Sequence, residues 1–406
     1  MNRRNTTHLL SLIFLLLSAS GTARCGELDA ITNDKLPIEI KSGYAELAQL
    51  PLKHSPKTIT YVEEIKRSDG AVIKKKRKDF AWKEIGLKLF NLDTGSTRII
   101  KVRKEGLRLK YAYLDFVVTI EKRPSGLRWN DWNTAYRIES NDYGRWAVIL
   151  NRWPRRLKNG RKEDAYYVPH STALHLQRVS LAGYQYLEKS AKAAGVELSD
   201  LRPGIDSWPD FSSGEFGGMM VRLALIEHAE YFELEEFVEN RWPYSPFDRV
   251  ATIVGLNGPS AYSLTISPAG ASGIMQYTNR SRHRRLGTWD FVRTNFPWAR
   301  LPRFEVGAID HRESMKAAML LHSYNFKELA REFDKSLALS PDLEYYLAAA
   351  YNGGVGAVIK SIRQAQKRRT HWRKELRKFK KTNESIEYLE KLDYLLANFK
   401  SGQKDP

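Results

Sequence analysis

Cysteine is almost absent from this chain of 406 residues, which contains only Cys25. A single cysteine cannot form an intramolecular disulfide, so an oxidising compartment would act on the fold only through Cys25. A chain of this length can still bury a sizeable core, and it is long enough for two or three domains. We therefore expect the hydrophobic core to hold the fold together without covalent links.

Long hydrophobic runs are also missing. The most apolar stretch, from Leu9 to Leu17, is far shorter than the ~18 residues that a membrane span needs. It follows Arg3 and Arg4 and precedes small residues up to Ala23, which is the pattern of a cleaved secretory signal. We predict a signal peptide at residues 1–23 and a periplasmic or secreted protein.

Cys25 offers an alternative, because acylated cysteines follow signals of this kind. Attachment of a lipid would be the one route by which we expect this chain to bind a membrane. However, Arg24 stands where a small residue is expected before such a cysteine. We therefore favour cleavage without acylation.

Acidic residues are outnumbered, with 47 Asp and Glu against 66 Lys and Arg, a formal net charge of +19. This excess attracts polyanionic partners over long distances. Nucleic acid is the usual polyanion for a basic chain, but an exported protein rarely meets it, so we expect no nucleic-acid partner. Anionic wall polymers fit the predicted compartment better.

Metal-binding patterns are absent from the sequence as well. No pair of histidines at His-x-x-x-His spacing occurs together with a third ligand on a predicted helix. We predict no metal and no cofactor.

The part of the chain that comes after the signal is predicted to form an antiparallel β domain at about residues 27–160. Its runs are rich in Val, Ile, Tyr and Phe, several of them alternate apolar with polar residues, and Ser68-Asp69-Gly70 is a hairpin signal. The predicted strands cover residues 37–41, 58–66, 71–78, 98–104, 109–121 and 146–153. No motif indicates a role for this domain.

From residue 171 the apolar residues recur at helical spacing. The first predicted helix ends at Gly195, which we interpret as a C-cap. The predicted helices cover residues 171–195, 217–240, 247–256, 314–336, 343–351, 355–378 and 384–399. The sequence therefore predicts an α+β chain, with a mostly helical domain at about residues 166–400.

Two blocks of small residues interrupt the helical half, Ser267–Gln276 (SPAGASGIMQ) and Ala348–Gly354 (AAAYNGG). Gly270 and Gly273 would let the backbone approach a ligand closely, and Gln276 would supply an amide contact. The first block alone is typical of an ordinary turn. It gains meaning from the second block and from the segment Glu384–Tyr388 near the end of the helical half.

These three segments resemble in sequence and order the lysozyme-like lytic transglycosylases, which cut bacterial peptidoglycan. The resemblance covers about residues 211–399, and nothing before about residue 165 matches. It implies a lysozyme-like domain that binds peptidoglycan glycan strands. The implied reaction cleaves the bond between N-acetylmuramic acid and N-acetylglucosamine and leaves a 1,6-anhydromuramyl end.

The resemblance also assigns roles to residues. Tyr351 and Asn352 would orient the acid and the sugar, Gln276 would contact the substrate, Ser267 would hydrogen-bond an N-acetyl group, and Tyr388 would line the floor of the cleft. The full set of implied substrate-binding residues is Ser267, Gly270, Ala271, Gly273, Met275, Gln276, Tyr351, Asn352 and Tyr388.

The general acid departs from the family pattern. In the family it is a glutamate that ends an apolar helix, precedes a serine and lies shortly before the Gly-Ala turn. The corresponding place here, around Leu256-Asn257-Gly258, contains no carboxylate. Either the acid is lost and the domain binds glycan without cutting it, or the acid comes from one helix earlier and Phe247–Ser263 is an inserted helix and loop.

Glu227 is the predicted acid in the second case, because it ends the apolar stretch Leu223–Ile226, with His228 in place of the serine. Met219 and Met220 share its helical face, so the carboxyl would emerge on an apolar side that raises its pKa. The alternative is an ordinary exposed helix glutamate. The other candidate acids are Glu215, Asp248, Glu305 and Asp310, and Asp310 is also the candidate second carboxylate of a muramidase-type hydrolase.

Two basic clusters complete the pattern, one from Arg363 to Lys381 that includes a single acid, Glu375, and one from Arg280 to Arg285. The like charges of the longer cluster repel one another, so a bound polyanion would lower the electrostatic free energy of the cluster. A plain solvated helix is the other interpretation. The shorter cluster comes soon after the Gln276 turn.

Overall fold

The computed structural model describes residues 35–66, 72–105, 108–110, 116–120, 136–140, 144–156, 162–170, 172, 179–201, 214–241, 245–265, 267, 270–279, 286–333, 340–379 and 384–398. The predicted signal peptide, Cys25 and the Arg280–Arg285 cluster lie outside these residues. The chain divides into two compact units, Met1–Val179 and Ser180–Pro406. Antiparallel sheets occupy the first unit and helices dominate the second, so the fold class is α+β.

The first unit contains one helix and nine strands in its described part. Five strands form one antiparallel sheet in the order β5-β4-β3-β8-β9, and the pairs β1-β2 and β6-β7 form two hairpin sheets. The elements are α1 (Leu36–Gln49), β1 (Thr58–Lys66), β2 (Val72–Phe80), β3 (Lys83–Asn91), β4 (Thr97–Glu105), β5 (Arg108–Lys110), β6 (Phe116–Ile120), β7 (Tyr136–Ser140), β8 (Trp146–Arg156) and β9 (Lys162–Tyr167).

Strand β3 is the centre of the large sheet, and the sequence did not predict it. Nearly every one of its residues is buried, so the strand lacks the alternation that marks a half-exposed strand. Lys88 lies in its middle and is fully buried, with Nζ 2.8 Å from Glu39 Oε2 and 2.7 Å from Glu46 Oε1 on α1. β7 and β9 were also missed, and the sheet extends beyond the predicted end of the β domain at residue 160.

Helix α1 replaces the strand predicted at residues 37–41. The short alternation of Ile38 and Ile40 suggested a strand, but Ile38 is 66% exposed while the buried residues Ile40, Gly43 and Leu47 follow helical spacing. The prediction was wrong because the window was too short to show the helical period. α1 packs on β3 and β8.

The regular structure of the second unit is helical in its described part, apart from an isolated bridge between Ser272 and Tyr277 and a further bridge residue at Leu286. Its helices are α2 (Val179–Leu201), α3 (Gly214–His228), α4 (Tyr231–Val238), α5 (Pro246–Asn257), α6 (Thr288–Asn295), α7 (Phe304–Gly307), α8 (His311–Phe333), α9 (Leu343–Gly353), α10 (Val355–Arg368), α11 (Trp372–Phe379) and α12 (Glu384–Asn398). The core surrounds α8, which is continuously buried from Glu313 to His322 and packs against α3, α6, α7, α9 and α10.

Several helix boundaries differ from the predicted ones. Gly195 lies inside α2 rather than at its end, and α6 and α7 were not predicted. The predicted helix 217–240 is two helices that break after His228, and the predicted helix 355–378 breaks at Arg369, whose φ of 52° is left-handed. None of the described helices is both long and apolar enough to cross a bilayer.

Candidate active site

Glu227 lies in the last turn of α3, at the point where the predicted longer helix breaks. The residues before it, from Leu223 to Ile226, are buried in the core, while Glu227 itself keeps some exposed surface. The residue therefore lies at the edge of the core, between the buried turn of α3 and the protein surface.

Helix α12 supplies the polar neighbours of Glu227 from one face, where Glu384, Tyr388 and Lys391 follow at spacings of four and three residues. The Tyr388 hydroxyl donates a hydrogen bond of 2.9 Å to Glu227 Oε1. Lys391 Nζ donates to the carbonyls of Ile226 at 2.6 Å and Ala229 at 2.9 Å, so it binds the orphan carbonyls at the end of α3.

The pKa of Glu227 is raised from 4.5 to about 7, and burial is the main cause. The hydrogen bond from Tyr388 and the charge of Lys391 oppose this rise, and the charge of Glu384 adds to it. The pKa of Tyr388 lies well above its usual value because of burial and the nearby Glu227. Tyr388 thus remains a donor, and Glu227 is partly protonated at neutral pH.

The described residues of the first block, Ser267 and Gly270–Gln276, belong to a turn beside α3. Ser267 closes it, because its Oγ accepts from Ala271 N at 3.0 Å and its carbonyl accepts from Gly270 N at 2.9 Å. Gln276 has a left-handed φ of 50° and donates from Nε2 to the Gly273 carbonyl at 2.8 Å. The turn is held largely by its own hydrogen bonds.

Gly270 and Gly273 serve different purposes in this turn. Gly273 has a φ of +77°, and an added Cβ would lie 1.6 Å from the Ala308 carbonyl oxygen, so glycine is required by the approach of protein backbone rather than of a ligand. Gly270 is exposed with a φ of +85°, and a Cβ there would meet nothing within 4 Å. Of the two, only Gly270 leaves room for a ligand.

His228 connects α3 to the turn. Its Nε2 lies 3.0 Å from the Ile274 carbonyl and 3.3 Å from the Gly273 carbonyl, and its ring stacks on Tyr262 at 3.7 Å. Carbonyl oxygens only accept, so Nε2 must carry the proton. Burial lowers the pKa of His228 to about 3, and the neutral ring therefore fixes the turn beside the residue that precedes it, Glu227.

The second block brings Tyr351 to the same turn. Its hydroxyl donates to the Met275 carbonyl at 2.6 Å, and its ring lies 6.0 Å from that of Tyr277. The pKa of Tyr351 is raised by burial first, with smaller contributions from Tyr277, Glu227 and Tyr388. Asn352 instead faces α12, where its Oδ1 accepts from Ser385 Oγ at 2.8 Å.

The structure brings two of the predicted residues close to Glu227 and holds the turn of the first block beside α3. Tyr388 and Tyr351 lie in the cluster, and Met275 and Gln276 belong to the turn that His228 and Tyr351 hold. Ala271 is buried and acts through the backbone of the turn. Tyr388 contacts the candidate acid directly rather than only lining a floor.

The alternative carboxylates have other environments. Asp310 is exposed and caps α8, since its Oδ1 accepts from Glu313 N at 3.0 Å, and Glu305 is exposed on α7. Asp248, on α5, accepts from the Tyr184 hydroxyl at 2.8 Å. Glu215 is exposed in the first turn of α3, about 18 Å along the helix from Glu227 at 1.5 Å per residue.

Sequence reasoning missed three residues of this cluster, Lys391, Glu384 and Tyr277. The spacing of Glu384, Tyr388 and Lys391 along one helix would have revealed the first two. The Tyr277 hydroxyl is buried without a hydrogen-bond partner of normal geometry among the described residues. Burial is the main cause of the raised pKa of Tyr277, and the charge of Glu227 adds to it. Tyr277 therefore lies close to the candidate acid.

The region that would carry the family's acid has no carboxylate in the structure either. α5 ends at Asn257, whose Nδ2 donates to the Ile253 carbonyl at 3.1 Å. α5 packs on α3, so the segment that would be an insertion under the second alternative lies against the helix that carries Glu227. Within the described ranges, no group of three or more His, Cys, Asp or Glu residues is placed to hold a metal ion.

No protein-family model matches this chain, and neither a curated protein nor a solved structure is similar to it.

Proposed function

We propose that the second unit is a lytic transglycosylase of peptidoglycan with a lysozyme-like fold, and that Glu227 is its single acid and base. The observation that carries the proposal is the raised pKa of Glu227, a partly exposed residue whose carboxyl accepts a hydrogen bond from Tyr388 of α12 and lies near Tyr351 of the second block. The resemblance of the same blocks to that family supplies the substrate class.

The reaction needs one carboxyl. Glu227 donates its proton to the bridging oxygen between N-acetylmuramic acid and N-acetylglucosamine as the bond from that oxygen to C1 breaks. The resulting carboxylate then accepts the proton of the muramyl C6 hydroxyl while O6 bonds to C1. The proton on Glu227 is restored, no water is consumed, and the product is an anhydro sugar.

Tyr388 has a positioning role in this scheme. Its hydroxyl donates to Oε1 of Glu227, which leaves Oε2 as the oxygen that carries the proton toward the ligand. Because Tyr388 stabilises the charged form, it limits the rise of the Glu227 pKa and so supports the second, basic step as well.

A muramidase-type hydrolase is the second candidate. It would place water on C1 and would use a second carboxylate roughly 5–9.5 Å from the acid. Asp310 is engaged as a helix cap, whereas Glu384 is near enough for its charge to raise the pKa of Glu227. Glu384 is therefore the residue on which this candidate depends.

End-group analysis distinguishes the candidates. Purified protein is incubated with sacculi, and the released sugar ends are identified by mass spectrometry before and after borohydride reduction. We expect anhydromuramyl ends, which borohydride leaves unchanged, from both the wild type and Glu384→Gln. Reducing muramyl ends that are lost in Glu384→Gln would establish the hydrolase, and binding without any release would establish a non-catalytic peptidoglycan-binding protein.

A further inference from the structure

The helical hairpin of α10 and α11, from Val355 to Phe379, carries a basic surface of the second unit. The two helices are joined by a tight turn in which Arg369 is left-handed and Thr370 N bonds to the Ala365 carbonyl at 3.0 Å. Exposed basic side chains cover it, namely Lys360, Arg363, Lys367, Arg368, Arg369, Lys374, Arg377 and Lys378.

The single acid of this hairpin is used internally. Glu375 is 1% exposed, and its carboxylate accepts from Arg368 at 3.1 Å, Lys378 at 2.8 Å and Thr370 at 3.1 Å. These bonds join the end of α10 to α11 and so fix the shape of the hairpin. They leave the outer surface without a negative charge of its own.

The remaining cations fall into two groups. Arg363 pairs with Glu332, Arg377 with Glu390 and Arg373 with Asp393, so these residues attach the hairpin to its neighbours. In contrast, Lys360, Lys367, Arg369 and Lys374 have no ion pair in the part of the chain that the structure describes. Like charges this close repel one another, and the fold does not relieve that repulsion.

Two of these unpaired cations form a row on α10. Lys360 and Lys367 lie on one face of the helix, seven residues apart, and Lys374 is exposed on α11. α10 is about 21 Å long at 1.5 Å per residue. In the sequence, α10 begins at Val355, shortly after Tyr351 and Asn352 of the candidate site.

From Val355 to Lys378 the hairpin exposes little apolar surface. Among the described residues, none of the exposed large hydrophobic side chains lies between Val355 and Lys378. The apolar face of α11 is turned inward, since Trp372 and Leu376 are buried and Trp372 packs on Tyr346 at 4.9 Å. A helix that inserts into a lipid surface needs an exposed apolar face, and the described side chains from Val355 to Lys378 do not form one.

We propose that this hairpin binds a linear polymer with repeated phosphate groups, whose charges follow the row of unpaired cations. Such binding is electrostatic and releases counterions, so it depends steeply on salt. It uses no residue of the cluster around Glu227. Loss of glycan cleavage and loss of polymer binding are therefore separate outcomes.

The test uses the full chain and fluorescein-labelled, long-chain inorganic polyphosphate, with affinity measured by fluorescence anisotropy at several salt concentrations. The variant carries Lys360→Gln, Lys367→Gln and Lys374→Gln. The matched control carries Lys189→Gln, Lys192→Gln and Lys327→Gln, which remove the same charge from other positions of the same unit.

We expect the hairpin variant to lose about tenfold or more in affinity, and the slope of log K against log salt to fall by roughly one for each lost contact. The control should change less than about twofold. Equal losses in both triple variants would show that only the net charge matters and would overturn the proposal. Binding of wild type that does not respond to salt would overturn it too.

A second arm addresses the class of polymer. Vesicles of phosphatidylglycerol and phosphatidylcholine are added as competitors at equal phosphate concentration. The proposal requires them to displace polyphosphate poorly, because with no exposed large apolar residue from Val355 to Lys378 the hairpin would bind vesicles by surface charge alone. Displacement by vesicles at least as strong as by unlabelled polyphosphate would assign the surface to a membrane instead.

Discussion

At the scale of single residues, Glu227 combines two properties that rarely occur together. Surface glutamates are charged at neutral pH, and fully buried ones are paired or neutral. Glu227 is enclosed enough for burial to raise its pKa to about 7, yet it keeps exposed surface and accepts one hydrogen bond from Tyr388. This balance makes it available both as an acid and as a base.

The raised pKa has a consequence for stability. The unfolded chain loses this proton near pH 4.5 and the folded chain only near pH 7, so the folded state is disfavoured as pH rises through that window. Each pKa unit corresponds to about 1.4 kcal/mol, so the loss amounts to at most about 3.5 kcal/mol above pH 7. Below pH 4.5 the group contributes no such loss.

Glu227→Gln should therefore stabilise the protein at high pH. The amide keeps the shape and one acceptor for Tyr388 but carries no charge. We expect Tm to exceed that of the wild type by several degrees at pH 8, and the difference to disappear near pH 4, as measured by differential scanning calorimetry. Glu215→Gln, an exposed residue of the same helix, is the control and should show neither effect. A difference in Tm that is independent of pH would contradict the raised pKa.

Tyr388→Phe tests the partner of the acid. It removes the hydrogen bond that stabilises the charged carboxylate, so the pKa of Glu227 should rise above about 7. The alkaline limb of the pH–rate profile on sacculi should move to higher pH, and the pH dependence of Tm should move with it. A lower rate with an unchanged profile would mean that Tyr388 only shapes the cleft.

At the scale of elements, the site depends on a turn whose backbone is hydrogen-bonded by side chains of two helices. His228 and Tyr351 bind three consecutive carbonyls of the turn, those of Gly273, Ile274 and Met275. These bonds come from the ends of α3 and α9, so two helices fix one short segment. The position of the turn relative to Glu227 is thus set by hydrogen bonds to the carbonyls of the turn and not by the side chains of the turn.

Gly273→Ala should disrupt this element. The new Cβ would meet the Ala308 carbonyl oxygen at 1.6 Å, and the φ of +77° is unfavourable for alanine. We expect a loss of about 3 kcal/mol or more in the free energy of unfolding, measured by urea denaturation. Gly270→Ala is the matched variant, because its φ of +85° is similar but its Cβ would meet open space. It should cost only about 1–2 kcal/mol, and equal losses in both variants would contradict the close contact at Gly273.

Helices with a clear period, such as α5 and α12, could be predicted from sequence to within a residue or two. Strand β3 could not, because a strand buried on both faces has no alternation and because Lys88 reads as a surface residue. The break after His228 was also invisible, since it depends on Lys391 binding the freed carbonyls from a distant helix.

The candidate site shows the same division. The sequence blocks indicated Tyr351 and Tyr388, the apolar stretch before Glu227 indicated the acid, and the structure places these three side chains close together. The purpose of Gly273 was misread, because no local pattern reports the approach of Ala308, which lies between α7 and α8. Residues that act through tertiary contacts, such as Lys391, required the structure.

At the scale of the whole molecule, the basic residues behind the net charge of +19 occupy two kinds of position. Lys88, Lys316 and Lys391 serve the fold from enclosed positions, each with specific carboxylate or carbonyl partners. The α10–α11 hairpin instead presents unpaired cations to solvent in the described part of the chain. The sequence reports the sum of these charges, and only the structure separates those that hold the fold from those that face a partner.

Transfer of the proton by Glu227 is the step on which the proposed glycan cleavage depends. The most direct measurement is the initial rate at which anhydromuropeptides are released from sacculi by the wild type, Glu227→Gln and Glu215→Gln, with binding of each protein to sacculi determined in parallel. We predict a fall of about 10² or more for Glu227→Gln with binding retained, and an unchanged rate for Glu215→Gln. Release by Glu227→Gln at the rate of the wild type would contradict the proposed role of Glu227.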